Sequence, residues 1–181
     1  NSVQQIVSES GVYTAQAAIG VGKYPAGLTT GLDGSIWVSN SFSNSVQQIV
    51  SESGVWTAQA AIGVGWFPAN LTTGLDGSIW AASADSNTVQ QIVKNDNGIW
   101  TAQAAIGVGQ FPWALTTGLD GAIWVANADP SNSVQQIANG NGVWTAQAAI
   151  GVGNGPQALT TGRDGAIWVA NADPSNSVQQ I

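Results

Sequence analysis

Apolar and polar positions along this chain alternate in short runs, and turn-forming residues break the pattern every few positions. The run SVQQI alternates, with Val and Ile at the ends of the pattern, and IWVAN is rich in β-formers. VWTAQAAI is a third such run, entered through a glycine turn such as Asn141–Gly142. LTTG (Leu28–Gly31 and its equivalents) is a fourth, followed by Asp-Gly at Asp33–Gly34, Asp76–Gly77, Asp120–Gly121 and Asp164–Gly165. Asp-Gly between such runs signals a hairpin, because glycine readily supplies the positive φ of a tight turn. No segment has the cap and the 3.6-residue period of a helix. Every element is predicted to be a strand.

The four runs recur in the same order. TAQAAIGVG stands unchanged at Thr14–Gly22, Thr57–Gly65, Thr101–Gly109 and Thr145–Gly153. The Trp of the IW pair falls at Trp37, Trp80, Trp124 and Trp168, and a loop proline at Pro25, Pro68, Pro112 and Pro156. Both series are spaced 43, 44 and 44. Such a period excludes leucine-rich and 33- or 34-residue helical repeats, and four strands per period specify a β-propeller of four-stranded antiparallel blades. The reading is one domain over residues 1–181, with repeats near 1–43, 44–86, 87–131 and 132–175, and a fifth copy beginning at 176–181. The VQQI strand occurs five times, at 3–6, 46–49, 89–92, 134–137 and 178–181, whereas the other three types occur four times. Two closures follow: about four blades with one assembled from both termini, or a larger ring made by oligomerisation. Either leaves one VQQI copy surplus or shared.

The run PxxLTTGxDGxIWVANADPSNSVQQI, clearest from Pro156 to Ile181, resembles blades of NHL-repeat and streptogramin-lyase-type propellers. The resemblance extends over every repeat. It is specific for blade type and not for function, since one fold hosts enzymes, binders and scaffolds. The Gly-His and Trp-Asp signatures of WD repeats and the Gly-Gly pair of kelch repeats are missing. For streptogramin-lyase-like enzymes the resemblance implies dependence on a histidine and a metal. This chain has no histidine.

Composition narrows the chemistry further. There is no Cys, which removes disulfides, thiolate metal sites and cysteine nucleophiles. Without His, a serine triad lacks its base. The only Glu residues, Glu9 and Glu52, lie in turns between third and fourth strands, on the face expected to be opposite the recognition loops. The expectation is a chain that is not an enzyme and carries no cofactor. Ten acidic residues against Lys23, Lys94 and Arg163 give a net charge of −7, unfavourable for nucleic acid or an anionic membrane. Residues 53–75 carry no charge, but Gly63, Gly65, Pro68 and Asn70 interrupt them, so no membrane insertion is expected. The chain lacks an initiator Met and a leader pattern, as a processed product or a fragment would. Low lysine content and net acidity fit an extracellular or cell-surface protein.

Candidate binding residues come from the loops that enter the first strand, where the repeats differ most. They read Lys23-Tyr24-Pro25-Ala26-Gly27, Trp66-Phe67-Pro68-Ala69-Asn70, Gln110-Phe111-Pro112-Trp113-Ala114 and Asn154-Gly155-Pro156-Gln157-Ala158. If strand direction follows the resembled family, these loops share a face with those between second and third strands. Tyr24, Trp66, Phe67, Phe111 and Trp113 then offer faces for sugar rings, with Gln110, Asn154 and Gln157 to hydrogen-bond hydroxyls. The competing role for these aromatics is packing around the axis. Trp56, Trp100, Trp144 and Tyr13, like Trp37, Trp80, Trp124 and Trp168, are expected in the core between blades. Asp85, Asp129 and Asp173 share the recognition face, but their ADSN and ADPSN settings are ordinary turn chemistry, and no metal site is assigned.

Three functions remain open on sequence. The first is a non-catalytic recognition propeller, lectin-like in style, for a glycan or small polar ligand. The second is a structural module that self-assembles into homo-oligomers by exchanging terminal strands. The third is an engineered or recently amplified propeller without a natural ligand.

Overall fold

A computed structural model describes all 181 residues. It forms an arc of β-propeller blades, each an antiparallel sheet. Blade 1 comprises Pro25–Thr30, Ile36–Asn40, Ser45–Glu52 and Val55–Ala58, from inside to outside. Blade 2 comprises Pro68–Thr73, Ile79–Ser83, Thr88–Lys94 and Trp100–Ala102. Blade 3 comprises Pro112–Thr117, Ile123–Asn127, Ser133–Gly140 and Val143–Ala146. At one end, Ser2–Val3 and Ile6–Glu9 pair with Ile19–Gly20 and Val12–Ala15 to make the outer half of a blade. At the other end, Pro156–Thr161, Ile167–Asn171 and Ser177–Gln180 form a three-stranded blade.

The continuous apolar character of the second strand has a direct cause. Ile79, Trp80, Ala81, Ala82 and Ser83 are all buried, because neighbouring blades cover both faces of the sheet. One core cluster joins Trp37 and Val46 of blade 1 to Leu71, Ile79, Ala81 and Ile92 of blade 2. The next repeats it one blade along, with Trp80, Ala82 and Val89 against Leu115, Ile123, Val125 and Ile137. Each large side chain so buried contributes about 1.5–3 kcal/mol. Trp100 and Trp144 pack edge-on against Trp37 and Trp80, with centroids 4.9 and 4.8 Å apart. Near the axis, threonines tie the inner strands together. Thr29 and Thr73 share a 3.0 Å hydroxyl hydrogen bond, as do Thr72 and Thr117 at 3.1 Å and Thr116 and Thr161 at 3.2 Å.

Three features differ from the sequence reading. The first strand starts at its proline rather than at the leucine, through a bulge between Pro112 and Ala114 and its counterparts. VWTAQAAI is not one strand: Ile49 pairs with Ala58 but Val46 with Ile62, so one extra residue is accommodated at Gln59–Ala61. The ends of the chain do not share a blade. Ser177–Gln180 already occupies the third-strand position beside Ile167–Asn171, the position that the N-terminal VQQI copy would need. Tyr13 is consequently 76% exposed rather than in a core, since no inner strands stand beside its sheet.

Candidate recognition face

Loops entering the blades and loops between second and third strands do meet on one face. The carbonyls of Tyr24, Phe67, Phe111 and Gly155 accept hydrogen bonds from the amides of Ser41, Ala84, Ala128 and Ala172 at 2.8–2.9 Å. One residue earlier, the amides of Lys23, Trp66, Gln110 and Asn154 donate to the hydroxyls of Ser43, Ser86, Ser131 and Ser175, each at 2.7 Å. Neighbouring blades are linked as well. Asn44, in a left-handed conformation, turns its Oδ1 to the amide of Phe67 at 3.1 Å. Asn87 does the same for Phe111 and Asn132 for Gly155, at 3.0 and 2.8 Å. These bonds fix the loop that carries each aromatic.

Their backbone is unusual. Tyr24, Phe67 and Phe111 have φ of 56°, 54° and 51°, in the left-handed region that disfavours side chains. The fourth repeat places Gly155 there, with φ 59°. Three loops therefore hold a bulky ring where the backbone favours glycine. Strain of this kind persists only where surrounding structure over-determines it, as these hydrogen bonds do.

The rings form a row across the blades. Tyr24 stacks on Phe42 at 4.6 Å and 21°, and Phe42 lies 5.8 Å from Phe67. Phe67 is 6.4 Å from Tyr24 and 6.3 Å from Trp113, nearly parallel to the latter at 24°. Trp66 is 68% exposed and Trp113 41%. Ser41, Phe42, Asn44, Trp66, Phe67 and Asp85 line a shallow depression of about 310 Å³. An open apolar floor with one carboxylate and one amide at its edge suits a ligand with a flat apolar face and hydroxyls around it.

Of the residues selected on sequence, Tyr24, Trp66, Phe67 and Trp113 belong to this row and depression. Phe111 has no ring neighbour, and Gln110, Asn154 and Gln157 are exposed farther along the arc, outside the depression. Trp113 and Gln157 lie in first strands rather than in loops. Phe42 and Asn44 were not selected, although the departure of the first repeat from the ADSN pattern marks Phe42. Asp129 and Asp173 accept hydrogen bonds from Asn132 and Asn176 within their own turns. No group of three acidic side chains converges in a way that could hold a metal ion.

Known proteins place this geometry. The chain superposes on a putative 6-phosphogluconolactonase from Bacteroides uniformis with a TM-score of 0.82 at 13% identity, covering 99% of this chain and 63% of that one. Periplasmic gluconolactonase from Pseudomonas aeruginosa gives 0.80 at 15% identity, with 99% and 62% covered. A catalytically inactive virginiamycin B lyase variant from Staphylococcus aureus, solved with quinupristin, gives 0.71 at 19% identity, with 99% and 62% covered. This chain thus spans about three fifths of the length of each of these structures, and at these identities the likeness is one of fold. No curated protein sequence matches it. A sequence model of the virginiamycin B lyase family matches residues 11–181, and the chain belongs to that family.

Proposed function

We propose that this chain is a non-catalytic recognition module that binds carbohydrate on its aromatic face. The observation that carries the reading is the row Tyr24–Phe42–Phe67–Trp113, in which Tyr24 and Phe67 stand on backbone that would be relaxed with glycine. Packing alone gives no reason to keep rings at strained, exposed positions. Sugar rings stack on such faces, and Asn44 and Asp85 stand where hydroxyls would meet them. Repeated weak contacts along an arc gain through multivalency, which suits glycans displayed on a surface outside the cell. Absence of histidine from the chain supports recognition over the histidine-dependent lyase chemistry that the family resemblance implies.

A glycan array followed by titration calorimetry of the best oligosaccharide tests this. Trp66→Ala and Trp113→Ala are expected to weaken binding at least about tenfold each, the scale of losing one aromatic anchor. Saturable binding indifferent to both changes, or turnover of a lactone or streptogramin by the purified chain, would overturn the reading.

A further inference from the structure

On the opposite face, where the Asp-Gly turns lie, two equivalent cavities open between blades. The one between blades 1 and 2 has a volume of about 240 Å³ and is walled by Asp33, Trp37, Asp76, Lys94 and Trp100. The one between blades 2 and 3 has about 450 Å³ and is walled by Asp76, Trp80, Asp120, Gln136, Asn139 and Trp144. The frame is the same in both: an outer-strand Trp standing edge-on to a buried inner Trp, and a carboxylate from each of two neighbouring blades. The contents differ: Asn139 stands in the larger cavity where the smaller has Lys94, and Ala122 and Ala138 replace Ser78 and Val93 of the preceding repeat. Lys94 pairs with Trp100 across the third and fourth strands, and Asn139 stands at the same register opposite Trp144.

In the smaller cavity the Lys94 ammonium lies over the Trp100 ring, 5.8 Å from its centroid. The site thus already holds a cation, supplied by the chain itself, against an aromatic face in a cavity that Asp33 and Asp76 also line. Asp33 registers this environment. Burial pushes its carboxyl up, but hydrogen bonds from the Ser35 hydroxyl and amide, with the charge of Lys94, hold it below its ordinary value of 3.8. The larger cavity has the same Trp and the same pair of carboxylates without the lysine. Asp76 and Asp120 each accept one side-chain amide at Oδ2, from Gln91 at 3.3 Å and Gln136 at 3.2 Å, which leaves acceptor capacity on both.

We propose that the cavity between blades 2 and 3 binds an alkylammonium group, the ammonium resting on Trp144 between Asp76 and Asp120 where Lys94 rests in its neighbour. A ring face and two carboxylates attract a cation jointly, and the net charge of −7 favours its approach. This site is independent of the aromatic face and of its proposed glycan.

The nine tryptophans give nine indole N–H signals, so nitrogen-15 NMR of the full chain reads the sites separately. Titration with n-butylammonium chloride is expected to shift the Trp144 indole saturably and leave Trp100 unmoved, while n-butanol shifts neither. Asn139→Lys, which copies the arrangement already tolerated at Lys94, is expected to abolish the Trp144 response. Lys94→Asn is expected to create a second saturable response at Trp100. N-acetyl-lysine methylamide in place of butylammonium tells a peptide lysine from a free amine by which binds more tightly. Absence of a saturable Trp144 shift in the unmodified chain, an equal response to butanol, or an Asn139→Lys variant that still responds would overturn the assignment. Unchanged indole signals elsewhere verify that both variants are folded.

Discussion

Phe111 isolates what the strained loop residue contributes. It has φ 51°, its ring touches no other aromatic, and Gly155 fills the same place one repeat later. A side chain in the left-handed region costs about 1–2 kcal/mol. Removing the ring while keeping a Cβ leaves that cost in place, whereas glycine removes both. Phe111→Gly is therefore expected to be more stable than Phe111→Ala by about 1 kcal/mol, although glycine is ordinarily the more destabilising replacement. Urea midpoints of the two variants at equal slope check it. An alanine variant as stable as the glycine variant would show that the loop relaxes without strain. The sequence offered Phe111 and Tyr24 as aromatics beside a proline. Their left-handed backbone was not legible, because it arises from the asparagine of the preceding blade and the serine of the facing loop, about 20 residues away in either direction.

Within a blade, the paired glutamines of VQQI are alike in sequence and unlike in work. Gln135 accepts hydrogen bonds from the Gly109 amide at 2.7 Å and the Asn127 side chain at 3.0 Å, and donates to the Gln147 carbonyl at 3.0 Å. It joins the incoming loop, the second strand and the bulge in the fourth strand. Gln47, Gln90 and Gln179 take the amides of Gly22, Gly65 and Gly153 in the same way. Its neighbour Gln136 donates only to Asp120, at 3.2 Å on the rim. Gln135→Ala strands a part-buried amide and is expected to cost about 1–3 kcal/mol, whereas Gln136→Ala stays within about 0.5 kcal/mol. Thermal unfolding of both separates them, and equal losses would refute the division of labour. Strand type and order were legible, since alternation and Asp-Gly punctuation are local signals. The bulge at Gln59–Ala61 was not. No glycine or proline marks it, and it exists because a glutamine side chain across the sheet satisfies the displaced backbone.

At the scale of the whole arc, the same repetition that made the fold readable leaves its closure undetermined, because every interface between blades looks like every other. Inner strands meet through one recurring set of contacts, Leu71 against Trp37 and Leu115 against Trp80. At the arc's flanks those contacts have no counterpart. Leu28 is exposed on one flank, and Trp168 and Val178 on the other. These are the groups that an adjoining blade covers in the middle of the arc, so the two flanks are complementary by construction. Contact between them in separate copies would be head-to-tail, which closes a ring or extends a fibre according to the angle per blade. A polypeptide of these 181 residues alone is expected to associate, and native mass spectrometry is expected to find species at multiples of 18.4 kDa. Trp168→Glu places a charge on one flank and should return the chain to monomer without unfolding it, since Trp168 is already partly exposed. A monomer persisting at high concentration, with both flanks open to water, would mean that the inner Thr pairs and the two Trp-centred cores suffice for the arc by themselves.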